Sequence, residues 1–207
     1  MNKLIPTLVG IVIVIGISAF VFSGSSFEPQ SKSIYEEGFT FNDVDKIRKS
    51  LSTQKVFMSP PTEITDYTIS QYCPSLTELQ NPLEHCATTV ITDVNGNSLG
   101  NINMGGTLDG PIMALALLDT SEIFSPENEV DYVFQTMIET LVCDCWEEKQ
   151  PGGFESVSAW LNTAKIKYTE SSKTTLKSKI DGLAGMNLIL EITSKDDSYL
   201  WTLIILK

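Results

Sequence analysis

Positions 4–22, LIPTLVGIVIVIGISAFVF, run for nineteen residues without an ionisable side chain, and no other feature constrains the architecture of this chain as strongly. At about 1.5 Å per residue such a stretch gives roughly 28 Å of helix, close to the ~30 Å hydrocarbon thickness of a bilayer. A cleaved secretory signal carries a shorter apolar region of about 7 to 15 residues, so length favours a retained transmembrane helix over cleavage near Val21-Phe22-Ser23. Lys3 precedes the run, whereas Glu28, Glu36 and Glu37 follow it beside a single Lys32. That bias predicts a single-pass protein of the cell membrane with a cytoplasmic N-terminus and an extracytoplasmic C-terminal body. The chain then divides into a cytoplasmic stub and anchor at 1–23, a tether at 24–38 rich in small and polar residues, and a domain at 39–207.

Charge narrows the partners. The 207 residues carry 14 Lys plus Arg against 26 Asp plus Glu, a formal net charge of −12, and Arg48 is the only arginine. Phosphate binding needs clusters of cations that release counterions, so nucleic acid is excluded as a partner and anionic lipid headgroups are repelled. The expected membrane contact is the span at 4–22 itself. The domain is long enough to bury one core.

Along the domain, Thr40 and Asp43 have the spacing of a weak capping box and Phe39 that of a staple onto Val44, predicting a helix over 41–54. The β-prone run Asp66–Tyr72 predicts a strand entering a proline-rich loop. Ala87–Val94 and Asn97–Ile102 flank Asn95-Gly96, the dipeptide of a tight type I′ hairpin. Pro111–Leu118 (PIMALALL) is apolar on all sides and suits a buried strand or a short buried helix, its Ala, Leu and Met favouring helix slightly. Ser125-Pro126 opens the most periodic element, a helix over 126–148, stopped by Pro151-Gly152-Gly153. A second amphipathic helix is predicted over 154–168, then strands over 174–180, 186–193 and 199–206, the last apolar on both faces and therefore interior. The fold class expected is α+β: an N-terminal transmembrane helix followed by one domain with an antiparallel sheet packed by two or three helices.

The order of anchor, helix and Asn-Gly hairpin resembles extracytoplasmic sensor domains of the PAS or Cache type. The resemblance is carried by TTVITDVNGNSLG (Thr88–Gly100), which is general hairpin chemistry. It implies a small-ligand sensor domain as one alternative function, and the chain is not assigned to the family on it.

Four cysteines, Cys73, Cys86, Cys143 and Cys145, are the most informative functional residues, and an even number in an exported domain predicts disulfides. Three pairings are open. On a continuous helix Cys143 and Cys145 diverge by about 200°, which disfavours bonding to each other. Cys73 with Cys86 would close a loop worth about 3 kcal/mol, and each could instead bond to one cysteine of the Cys143-Asp144-Cys145 pair. With His85, the lone histidine, these residues also offer a ligand set for zinc or copper, although the spacing is not that of paired CxxC motifs. Any Ser-His or Cys-His scheme must use His85, and no G-x-S-x-G, H-E-x-x-H, P-loop or G-x-G-x-x-G helix start accompanies it. Asp93–Asn97 reads as a hairpin turn before a calcium loop, because Gly96 is fourth and Met104 twelfth. Trp146, Trp160 and Trp201 read as core.

No catalytic constellation, cofactor or resident metal is therefore expected. The leading expectation is a membrane-anchored extracytoplasmic binding domain for a cell-surface protein or small ligand. The alternative is a Cys/His metal-binding or thiol-redox accessory protein.

Overall fold

In Leu200–Leu206 both alternating faces are apolar, and such a strand is stable only with neighbours on each edge and cover on each face. That is its place in the fold. The computed structural model describes residues 38–65, 67–74, 83–124, 129–171 and 173–207. Chain order is α1 (Asp43–Thr53), β1 (Phe57–Met58), β2 (Thr62–Ile64), α2 (Ile69–Tyr72), β3 (His85–Thr92), β4 (Ser98–Thr107), β5 (Gly110–Thr120), α3 (Glu129–Leu141), α4 (Trp146–Lys149), a 3-10 turn (Pro151–Gly153), α5 (Val157–Glu170), β6 (Thr175–Leu183), β7 (Met186–Lys195) and β8 (Ser198–Leu206). The strands form one eight-stranded antiparallel sheet in the order β1-β3-β4-β5-β8-β7-β6, with β2 also paired to β3.

The expected fold class needs correction. The transmembrane helix at 4–22 lies outside the described residues, and among these no helix is long and apolar enough to cross a membrane. The described chain is a mostly antiparallel sheet domain with several helices, more than the two or three anticipated, because short turns at α2 and α4 interrupt what the sequence pattern joined or read as extended.

Side chains alternate across a sheet, and two clusters follow. Ala114, Ala116 and Leu118 of β5 join Leu188, Leu190, Leu203 and Ile205 in the larger core, against Ile47 and Leu51 of α1, Phe134 and Met137 of α3, and Trp160 and Leu161 of α5. The other face supplies Met113, Leu115 and Ile204 to a smaller cluster with Ile64, Ile69, Cys73 and Cys86. Because β5 is buried on both faces and paired on both edges, Pro111–Leu118 is strand and not the slightly favoured helix. Sheet burial overrides the helix propensity of Ala, Leu and Met.

Other boundaries shift for local reasons. At α1 the Asp43 carboxylate accepts from the Thr40 N–H at 2.6 Å and hydroxyl at 3.0 Å, the reciprocal half of the capping box, and Phe39 and Val44 share the larger core. The strand expected at 66–72 does not form in the described part of that range: β2 ends before it at Ile64, and 69–72 make the single helical turn α2, closed by the Cys73 N–H on the Ile69 carbonyl at 2.7 Å. Asn95-Gly96 does turn the β3–β4 hairpin, but within a longer loop: the Asp93 N–H reaches the Asn97 carbonyl at 3.0 Å and the register shifts at Ile91/Thr92. The first predicted turn of the long helix falls at 125–128, outside the described residues, and α3 ends at Leu141 instead of Glu148. Helix α5 starts at Val157, where Ser156 accepts from the Ala159 N–H at 3.1 Å. The three C-terminal strands are present at the expected positions, β8 lying between β5 and β7.

Candidate functional site

The five cysteine and histidine candidates do not converge. Cys73 and Cys86 form a disulfide with Cα atoms 6.7 Å apart, both fully buried in the smaller cluster. His85 is one residue from Cys86, so the strand turns its side chain to the opposite face. There its ring centroid lies 4.3 Å from that of Phe41, and its Nε2 is buried without a hydrogen-bond partner. Cys143 and Cys145 form the second disulfide, Cα atoms 5.1 Å apart, and pack against the larger core. Among the described residues no group of three or more His, Cys, Asp or Glu side chains is placed to hold a metal ion.

The Cys143–Cys145 pairing departs from the helical expectation because the helix ends first. The N–H groups of Val142 and Cys143 both bond to the Ile138 carbonyl, at 2.9 and 3.1 Å, which closes α3 and swings the chain into a turn. Off the helix, the 200° divergence no longer applies. Beyond the turn, the Lys149 N–H bonds to the Cys145 carbonyl at 2.9 Å, so the backbone on each side of the disulfide is held independently of it. Gln150 then takes a left-handed conformation (φ 41°) and Pro151–Gly153 reverses the chain toward α5.

That reversal forms a cavity of about 400 Å³ lined by Gln135, Ile138, Glu139, Cys143, Asp144, Trp146, Glu147, Glu148, Ser156 and Val157. Its floor is anchored to the core: the Trp146 indole N–H donates to the Phe154 carbonyl at 3.1 Å, and the ring lies 5.6 Å from Trp160. Its rim is acidic. Four carboxylates line it, and only that of Glu148 has an ion-pair partner among the described residues, Lys149 at 2.9 Å. This pairing holds the Glu148 carboxyl below its usual range and the Lys149 ammonium above its own, first through the hydrogen bond and then through the opposite charge.

The two disulfides differ in what they do for stability. In the chain-entropy picture the bond between Cys73 and Cys86, 13 apart, contributes about 3 kcal/mol, whereas closing a loop of about three residues contributes roughly half that. Cys73 and Cys86 are inaccessible; Cys143 and Cys145 are half-buried with the exposed Asp144 between them.

The remaining candidates resolve as structure. The Asp93 carboxylate is filled by the Asn97 side-chain amide and the Asn97 and Asn95 N–H groups, each at 2.8 Å. The Asn97 side chain foremost, then these backbone donors, outweigh desolvation and hold Asp93 below its usual range, the arrangement of a turn and not of a cation loop. Trp160 donates to the Ser178 hydroxyl at 2.8 Å and Trp201 to that of Thr120 at 3.2 Å, so with Trp146 the tryptophans are core residues with satisfied N–H groups. A smaller cavity of about 170 Å³ lies between the ends of β4 and β5 and the start of α3, at Leu99, Asp119, Ser121 and Val130.

Sequence reasoning missed Gln135, Glu139 and Ser156 as cavity residues, since they come from separate elements. A usable signal was present: Gln135 and Glu139 stand four apart on the polar side of α3, one helical turn before the Cys-x-Cys, and the amide donates to the carboxylate at 2.6 Å.

Fold and site together define a disulfide-bearing antiparallel-sheet domain with an acidic cavity at the end of a core helix. No family model matches the chain, and neither does any curated protein or solved structure.

Proposed function

We propose that this chain is an exported binding domain, working on the outer side of a membrane, that takes a basic partner into the cavity between the end of α3 and α5. The observation that carries the reading is the cavity itself: about 400 Å³, floored by the fixed ring of Trp146 and rimmed by Glu139, Asp144, Glu147 and Glu148. An anionic rim over an apolar floor suits a positively charged group with an apolar stem, the character of Lys and Arg side chains. Two disulfides support an oxidising compartment, and the apolar segment at 4–22 supports export.

The test is site-specific photo-cross-linking in cells producing the full chain. A photoreactive residue at Gln135 or Ser156 should join a discrete partner, and one at the exposed Tyr67 should not. Combining Gln135 labelling with Glu139→Lys and Glu147→Lys should abolish the product, because repulsion replaces attraction at the rim. A product that survives the double charge reversal sinks the reading. Protease added to intact cells should remove the domain; full protection would place it on the wrong side of the membrane.

A further inference from the structure

We propose that Cys143 and Cys145 are a thiol–disulfide exchange site whose substrate is a polypeptide dithiol flanked by basic residues. The inference rests on the cavity reading for its partner and adds a reaction to it.

Three features of the pair set it apart from Cys73–Cys86. First, it is reachable: Cys143 and Cys145 are both half-buried and Cys143 lines the cavity, whereas Cys73 and Cys86 are fully buried. Second, the backbone on each side of it has its own hydrogen bonds. The backbone before it is held by the Cys143 N–H on Ile138, and the backbone after it by the Lys149 N–H on the Cys145 carbonyl, so both flanks keep an anchor when the S–S bond opens and the sulfurs move apart to non-bonded contact. Third, it closes over a single residue, Asp144, so it restrains the unfolded chain little. An accessible disulfide with a small structural contribution belongs to the labile, exchanging class. Holding two thiols 5.1 Å apart at their Cα atoms also makes re-closure a local event.

The reaction balances without a further reagent. A thiolate of the partner attacks Sγ of Cys143 or Cys145; the S–S bond breaks, a mixed disulfide forms, and the electron pair goes to the other Sγ, which takes a proton from solvent. The partner's second thiolate attacks its own sulfur in the mixed disulfide and releases the protein's sulfur, which is protonated in turn. Two electrons pass from the partner, now a disulfide, to the protein, now a dithiol.

Charge sets the substrate class. The departing sulfur becomes negative among Glu139, Asp144, Glu147 and Glu148, and the neighbouring cation Lys149 is engaged by Glu148. An anionic thiol meets repulsion on approach and again as the leaving sulfur charges; a partner carrying Lys or Arg beside its cysteines relieves both.

The experiment uses the full chain in neutral detergent, with two peptides that each carry a pair of cysteines, one set flanked by lysines and one by glutamates. Thiols are trapped by alkylation at timed intervals and located by peptide mass. The expected result is that one equivalent of the lysine peptide becomes its internal disulfide as Cys143 and Cys145 become alkylatable, while Cys73 and Cys86 stay protected. The glutamate peptide should react at least about tenfold more slowly, with the gap closing near 1 M salt, where screening acts within ~3 Å. A Cys143–Cys145 bond that opens only together with Cys73–Cys86, or equal rates for the two peptides at low salt, overturns the proposal. A lysine peptide with serines for cysteines separates the two readings: if it binds while its cysteine form stays reduced, exchange fails and the binding reading stands. If it does not bind, the binding reading fails regardless of thiol chemistry.

Discussion

At the scale of single residues, Asp43 shows how opposing causes decide one ionisation. Burial pushes its carboxyl up, but hydrogen bonds from Lys46 and from the Thr40 N–H and hydroxyl, with the Lys46 charge, outweigh it and hold the group below its ordinary value. A carboxyl depressed in the folded state adds stability at pH values above the unfolded pKa, about 4, and loses it as pH falls through the folded value. Asp43→Asn should therefore cost about 1 kcal/mol at pH 7, a typical capping loss, with the gap to wild type narrowing below about pH 4. Urea unfolding at pH 7 and pH 3 reads this directly; a gap that widens in acid refutes the assignment. Lys165 is a second case. It meets Asp131 at 3.1 Å with both side chains nearly out of solvent, and its ammonium lies 5.6 Å from the Trp201 ring centroid. Lys165→Met strands a buried carboxylate and should cost about 3 kcal/mol, while adding Asp131→Leu should restore most of it. A double variant no better than the single would show that the pair is not coupled. The first of these contacts is legible in the sequence, because Thr40 and Asp43 are three apart; the second is not, because Asp131 and Lys165 meet only when α3 and α5 pack.

Among elements, legibility followed how many layers of structure each pattern depended on. The C-terminal strands read correctly because alternation and turn residues are local. The long helix over 126–148 was overextended because Val142 and Cys145 continue the apolar spacing, yet the amides of Val142 and Cys143 share one carbonyl and end α3 at Leu141. That early end is also why the candidate site was only half visible. The sequence marks the Cys-x-Cys, but the cavity beside it exists only because the chain turns back through Gln150 and Pro151 toward α5. The two disulfides offer a comparison between elements. Replacing Cys73 and Cys86 with serine frees β3 from α2 and should cost about 3 kcal/mol, whereas the same change at Cys143 and Cys145 should cost roughly half that or less. Thermal unfolding of the two double variants against wild type tests the order; a larger loss at Cys143/Cys145 would make that pair the structural staple.

For the whole molecule, the decisive fact is that the last strand is an interior one. β8 is paired along its length with β5 on one edge and β7 on the other, Leu203 standing opposite both Ala116 and Leu190. Nothing local in the sequence states that order, since β6 and β7 precede β8 yet lie beyond it, and β5 is separated from it by three helices. The terminal Lys207 extends the closure: its Nζ donates to the Phe39 carbonyl at 2.7 Å and sits 4.8 Å from the Phe39 ring centroid, joining the end of the chain to the entry of the domain. Removing residues 200–207 would cut the sheet between β5 and β7 and take Trp201, Leu203 and Ile205 out of the core. The expected outcome is loss of any cooperative transition in circular dichroism of the chain ending at residue 199. A graded companion guards against a trivial failure to express. Leu203→Ala leaves the pairing intact, removes only buried apolar volume, and should lower stability by about 3 kcal/mol with a transition still sharp. If the truncated chain melts as wild type does, or Leu203→Ala costs nothing, β8 is not the strand that holds the two halves of the sheet together.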